Sequence, residues 1–308
     1  MKPNPNNFCG GNFQDWMEVM LTPYCNGKCS WCIEKDGFHP NKFIDIYDLV
    51  NIILQDPRKN VLLLGGEPTM ADRIHDLINL LNGKNVYITT NGSFLQNILG
   101  CNTNLKGINI SIHHYLFEKN KEITGLFIAH NILSTLKQFN NVKIRFNCNL
   151  IKGYIDSKEE IFRYIQFAKD FGATSVRFAE LKENDESFVN LNEIFPNQYG
   201  LSDDPFINGC VHDVEINGMM VNFRQMCGLQ TPLRKKPENP EQCVKNVLYY
   251  DGNYYNGWNK AMNLKKVLQM VADGKLSVKD AEDIIGNDYN KEKIRNIPQN
   301  NNSGGCTY

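Results

Sequence analysis

At 308 residues, with 33 basic and 34 acidic side chains and a formal net charge of −1, the chain is long enough for one large α/β domain or two smaller ones. Its balanced charge provides no field to gather nucleic acid or an anionic membrane, and no apolar run of about 18 residues spans a bilayer. Ten cysteines would suit a secreted protein, yet residues 1–13 lack a secretory layout and a chain of this size needs no staples, so a cytoplasmic location is expected.

In chain order, the first strand is expected at 16–22 (WMEVMLT), followed by a cysteine-rich loop and a helix over 43–55. Further strands are expected at 60–64, 85–89, 107–112, 142–150 and 174–181, and helices at 71–81, 94–99, 123–139 and 157–172. Ser157 and Glu160 give the last of these helices a capping-box spacing, and Gly172 closes it. Strand and helix alternate at intervals of roughly 20–35 residues, which predicts βαβ units and a parallel sheet. Six units without a dinucleotide-binding fingerprint point to a partial (β/α)6 barrel over residues 1–181. A polar connector is expected over 182–206, then a smaller unit over 207–290 and a tail over 291–308. The smaller unit carries two hairpin signals, at Asn217-Gly218 and Asp251-Gly252, and a helical pair over 264–274 and 277–286.

Cys25, Cys29 and Cys32 crowd into the loop after the first strand, where parallel βα folds place active sites. Thiolates suit both zinc and iron–sulfur clusters, and a closed zinc site takes four ligands. Three thiolates leave one position open. CNGKCSWC, with Trp31 before the last cysteine, resembles the Cx3Cx(aromatic)C signature of the radical S-adenosylmethionine (SAM) superfamily. LLLGGEPTM (62–70) is similar to the GGEP loop of the same superfamily, in order and context, and the resemblance covers roughly residues 16–181.

That resemblance implies a 4Fe–4S cluster on Cys25, Cys29 and Cys32, whose open iron chelates SAM and whose electron yields a 5′-deoxyadenosyl radical. It implies that Gly65 and Gly66 let backbone approach the methionine amine, with Glu67 as charge partner beside Pro68, and that a flavodoxin- or ferredoxin-type donor supplies the electron. Strand alternation predicts that Ile144, Phe146, Cys148 and Leu150 face the helices while Arg145, Asn147 and Asn149 face inward. Asn109, Ser111 and His113 share an inward face, opposite Ile108, Ile110 and Ile112, and Thr90 and Asn91 end the third strand. A buried parallel strand is normally apolar throughout, so this pattern predicts a wet cavity or a buried polar network. By the resemblance, Thr90, Asn91, Ser111, Asn147 and Asn149 bind the cofactor's carboxylate and ribose, with Arg145 on the carboxylate. His113 is a candidate substrate contact or a structural histidine, and Cys148, Cys101 and Cys9 are expected to be inert.

Cys210, Cys227 and Cys243 resemble the auxiliary 4Fe–4S "twitch" extension that follows many such barrels, with His212, Cys306 or substrate as a further ligand. Unpaired thiols or zinc are the alternatives. VRFAEL and Gly304-Gly305 are distantly similar to the molybdenum-cofactor precursor cyclases, although Cys306, Thr307 and Tyr308 follow the glycines. The expected function is hydrogen abstraction from a small polar metabolite such as a sugar, nucleotide or amino-acid derivative, as an oxidoreductase or lyase. A peptide-modifying maturase is the alternative, weakened because only 24 residues precede Cys25. An iron–sulfur electron carrier is the remote one.

Overall fold

A computed structural model describes residues 15–32, 39–40, 42–101, 104–128, 133–181, 186–205, 209–226, 246–256 and, beyond these, 268, 270–274, 277–279 and 281. Its centre is one ten-stranded sheet. Six strands, β1 (Trp16–Met20), β2 (Asn60–Leu64), β3 (Asn85–Thr90), β4 (Leu105–Ser111), β5 (Lys143–Asn149) and β6 (Ser175–Ala179), lie side by side in chain order and run parallel. The expected strands are all present, with ends shifted by one or two residues.

Both expected hairpins form, and they join this same sheet at its two opposite edges. β7 (Val211–Ile216) and β8 (Met219–Arg224) turn at Asn217 and Gly218, whose φ values of 52° and 71° suit a two-residue primed turn. β8 lies parallel to β6, pairing Arg177 with Asn222 and Ala179 with Arg224. β9 (Asn246–Tyr249) runs parallel to β1, and β10 (Tyr254–Asn256) closes the other edge. The expected connector is not a bare linker: Leu191, Phe195 and Leu201 are buried in the main core.

α1 (Ile46–Gln55) is capped by Asp45, and α2 (Ile74–Leu80) follows β2. The expected 94–99 helix is a short 3-10 turn, Leu95–Ile98. Among the described residues, the expected 123–139 segment is not one continuous helix. Instead α3 spans Phe117–Thr124 and ends at Gly125, whose φ of 73° breaks the helix while its N–H bonds Lys121 O. A 3-10 turn, Thr135–Gln138, follows. α4 (Lys158–Asp170) starts where Ser157 accepts the Glu160 N–H, and Gly172 at φ 78° follows its end. Short α5 (Leu191–Ile194) is capped by Asn190. Most of the expected C-terminal helical pair lies outside the described residues.

The core is the helix-facing side of the sheet. Met17, Val19, Val61, Leu63, Ile88, Ile108, Ile110, Phe146, Val176, Phe178, Val221 and Phe223 have no exposed surface. On β5 and β6 the residues between them, Arg145, Asn147, Asn149, Ser175 and Arg177, are polar and partly exposed. The sheet also curls. Glu18 on β1 acts electrostatically on Arg177 on β6, five strands away. In a flat sheet the two would be roughly 24 Å apart, beyond effective reach in water and salt.

Candidate functional site

The cysteine loop leaves β1 and crosses the C-terminal ends of the strands. Its first residues are gripped by the Gly65-Gly66-Glu67 loop: Gly66 N–H donates to Thr22 O and Glu67 N–H to Tyr24 O, both at 2.7 Å. This crossing explains the two glycines. A Cβ on Gly65 would sit 2.8 Å from Thr22 O, and one on Gly66 would sit 2.4 Å from Tyr24 O. The expectation that these glycines serve approach to the methionine amine thus meets a different physical reason, close packing against the cysteine loop itself.

Glu67 is buried, and its carboxylate is well satisfied. Oε1 accepts from Thr69 N–H (3.0 Å), the Thr69 hydroxyl and the Thr90 hydroxyl (2.5 Å), and Oε2 accepts from Asn91 N–H (2.6 Å). It therefore ties the end of β2 to the end of β3. Pro68 opens the 3-10 turn Pro68–Met70 that Glu67 caps. Asn91 carries the tie onward: its amide donates to Asn26 Oδ1 at 2.7 Å and reaches Cys25 Sγ at 3.8 Å.

Farther along, Lys28 N–H donates to Thr124 O, the last residue of α3, and the Lys28 side chain packs on Gly125, where an added Cβ would stand 3.0 Å from Lys28 Cβ. Cys32 N–H donates to Cys29 O. Trp31 packs with Ile123, Ile151 and Leu181, and its ring meets His113 edge-on at 5.3 Å. The loop is thus anchored near β2, β3, α3 and the ends of β4 to β6. Gly27 lies in its hollow. A side-chain carbon there would be 3.4 Å from Cys25 Sγ and 3.8 Å from Cys29 Sγ, and Gly27 N–H donates to Cys25 Sγ at 3.2 Å. Two thiols facing one cradle, with a third cysteine a turn later, fit a polynuclear cluster. Among the described residues no three His, Cys, Asp or Glu side chains converge as tightly as one metal ion requires. A cubane takes each thiolate at a separate iron, so it asks for wider spacing.

The other polar groups line the concave side of the sheet. Asn109 donates to Thr89 Oγ1 at 3.1 Å, and Arg145 Nε donates to Asn147 Oδ1 at 3.0 Å. Ser111, Asn147 and Asn149 are partly exposed on this face. His113 is buried and its Nδ1 accepts the Asn149 N–H at 3.0 Å, so the ring's proton sits on Nε2. Burial pushes its pKa down to about 4, which keeps it neutral. His114 Nδ1 accepts Leu116 N–H in a local turn. Cys148 is fully buried, and burial pushes the Cys101 thiol up to about 12.

Sequence reasoning passed over Arg177, Arg224 and Glu18. All three lie on the concave face, and the alternation Ser175/Arg177/Ala179 against Val176/Phe178 would have found the first. Arg177 Nε donates to Asn222 Oδ1 at 2.6 Å, and Asn222 Nδ2 donates to Asp213 Oδ1 at 2.6 Å. Burial and the Arg224 charge hold Arg145 down at about 10, while burial, Arg145 and Arg224 push Arg177 well below its usual range.

Of the second cysteine set, Cys227 and Cys243 lie outside the described residues, as do Cys9 and Cys306. Cys210 is buried at the start of β7, where its carbonyl accepts Gln225 N–H at 2.9 Å. His212 Nε2 lies 2.9 Å from Gly209 O, a contact in which only the ring can donate, and its Nδ1 packs on Gly200. The ring is thus committed locally.

The Radical SAM superfamily profile matches residues 19–168. Two relatives named GTP 3′,8-cyclase, from Clostridium perfringens (strain 13 / Type A) and Limosilactobacillus fermentum, are 29% identical over 181 residues and 28% identical over 284. The first match covers 54% of this chain and 55% of that protein, so the chain spans little more than half of it; the second covers 82% of each. The solved structure of native anSMEcpe with bound AdoMet and Cp18Cys peptide shares the fold, with a TM-score of 0.51 at 16% identity over 78% of this chain and 73% of that one. With its cysteine and GGEP loops and the matched profile, residues 19–168 carry a radical SAM domain, a domain that works with a 4Fe–4S cluster and SAM.

Proposed function

We propose that this enzyme abstracts hydrogen from a small polar metabolite held in the barrel, with a nucleotide as the favoured class. The polar concave face carries the reading: arginines, asparagines and a glutamate occupy the strand positions that a packed barrel would fill with apolar side chains. The relatives' name, GTP 3′,8-cyclase, supports a nucleotide over a sugar or an amino acid.

In this reading Cys25, Cys29 and Cys32 hold the cluster, and Trp31 fixes the loop over the strand ends by packing on Ile123, Ile151 and Leu181. When bound, the cluster supplies the electron that cleaves SAM and gives the 5′-deoxyadenosyl radical. Gly65, Gly66, Glu67 and Pro68 keep the loop in register with β2 and β3 and border the cofactor. Asn91 orients Asn26 beside Cys25. Ser111, Asn147, Asn149 and Arg145 are assigned to the cofactor's carboxylate and ribose, whereas Thr90, expected among them, is buried with its hydroxyl held between Glu67 and Gly92 N–H and serves to fix the loop. A barrel of this kind shields a radical from water while its polar wall orients the substrate.

We also propose an auxiliary 4Fe–4S cluster on Cys210, Cys227 and Cys243 in a twitch-like unit, with cytoplasmic residence and a flavodoxin- or ferredoxin-type donor. Anaerobic reconstitution then gives about eight irons per chain, against about four without the second cluster. For the substrate class, the test is deuterium transfer into 5′-deoxyadenosine from deuterated nucleoside triphosphates. Transfer only from a peptide or an amino acid would overturn the nucleotide reading.

A further inference from the structure

The concave wall at β6 and β8 holds more positive charge than the cofactor assignment uses. Strand register sets Arg177 beside Asn222, Asn222 beside Asp213, and Arg224 beside Ala179 on this face, and among the described residues Arg145, Arg224, Asp213 and Glu18 all act electrostatically on Arg177. Asp213 Oδ1 is already engaged by Asn222 rather than by an arginine fork. Arg177 is steadied through Nε by Asn222. The Nε of Arg224 is buried and has no hydrogen-bond partner. A guanidinium donor withdrawn from water without an acceptor is costly, as are like charges held close together in a half-buried wall. Both costs fall when an anion enters, since an oxyanion can accept from two guanidinium forks at once.

We propose that Arg177 and Arg224, framed by Asn222, form a subsite for an oxyanion group, phosphoryl or carboxylate, carried by the substrate. The proposal rests on the reading of this barrel as the substrate chamber. It places the substrate's charged end on the β6–β8 wall. The reacting carbon then lies between that wall and the cofactor. Asn222 acts as a positioning residue, because it touches Arg177 and Asp213.

The test is equilibrium dialysis of the reconstituted holoenzyme with SAM bound, using inorganic pyrophosphate as the phosphoryl probe and succinate as the carboxylate probe. One of them is expected to saturate at one per chain, and which one does so identifies the source of the oxyanion. R177Q and R224Q each weaken that binding roughly 10-fold or more. R177K and R224K, which keep the charge and lose the planar fork, weaken it less. R163Q, on the exposed face of α4, leaves it unchanged. The proposal is overturned if neither probe saturates, or if both glutamine variants, folded by circular dichroism, bind like the wild type. 5′-Deoxyadenosine formation by the same wild-type preparation is scored separately. Cleavage of SAM without anion binding removes the subsite alone, and anion binding without cleavage removes the radical reading alone.

Discussion

Gly66→Ala tests how the cysteine loop is held. The added Cβ would stand 2.4 Å from Tyr24 O, 2.5 Å from Tyr24 C and 2.7 Å from Pro23 O. Carbon–oxygen contacts settle above about 3 Å, and the atoms in the way are backbone, so the loop must move rather than a side chain rotate. Movement strains or breaks the Gly66–Thr22 and Glu67–Tyr24 hydrogen bonds, both 2.7 Å. Overpacking costs about 1–3 kcal/mol and each lost bond about 0.5–1.5 kcal/mol, for a total of roughly 2–5 kcal/mol. Urea denaturation of the metal-free protein reads the stability, and iron per chain after reconstitution reads the loop. Lower stability together with lower iron is expected. A variant with wild-type stability and full iron would refute the crossing as the reason for the glycine.

Glu67→Gln keeps the shape but turns an NH2 toward groups that themselves donate; a loss of about 1.5–3 kcal/mol is expected in the same denaturation assay. His113 has its folded pKa lowered to about 4 from an ordinary 6.5, so its contribution to stability is complete above pH 6.5 and is lost as pH falls toward 4. The loss reaches up to about 3 kcal/mol, and His113→Gln should flatten that part of the stability–pH curve; an unchanged slope would contradict the buried neutral ring. Phe146→Ala empties a fully buried site and should cost about 3–5 kcal/mol by denaturation. Iodoacetamide on the folded, metal-free protein should alkylate exposed Cys25 and spare Cys148; equal labelling by mass spectrometry would undo the sorting of the cysteines.

Local pattern carried the strands because the concave and convex faces differ so sharply. Ile144, Phe146 and Cys148 against Arg145, Asn147 and Asn149 follow from a period of two, and the structure buries them accordingly. What local pattern could not carry were the crossings. Nothing in LLLGGEPTM announces that Thr22 and Tyr24 will lie across Gly65 and Gly66, so the packing role of the two glycines is invisible there. Gly125 could have warned that 123–139 is not one helix, since an αL residue stops a helix wherever it stands. Arg224 is hidden for another reason. Only the pairing of β8 with β6, a contact between distant segments, brings it beside Arg177. The hairpins show the same limit, because Asn-Gly and Asp-Gly specify turns but not the sheet edge a hairpin joins.

The most direct test of the account is SAM cleavage by the reconstituted protein. Under anaerobic conditions with dithionite and SAM, the wild type should form 5′-deoxyadenosine, and Cys29→Ala should form none. A wild-type protein with its cluster fully loaded that leaves SAM intact would contradict it.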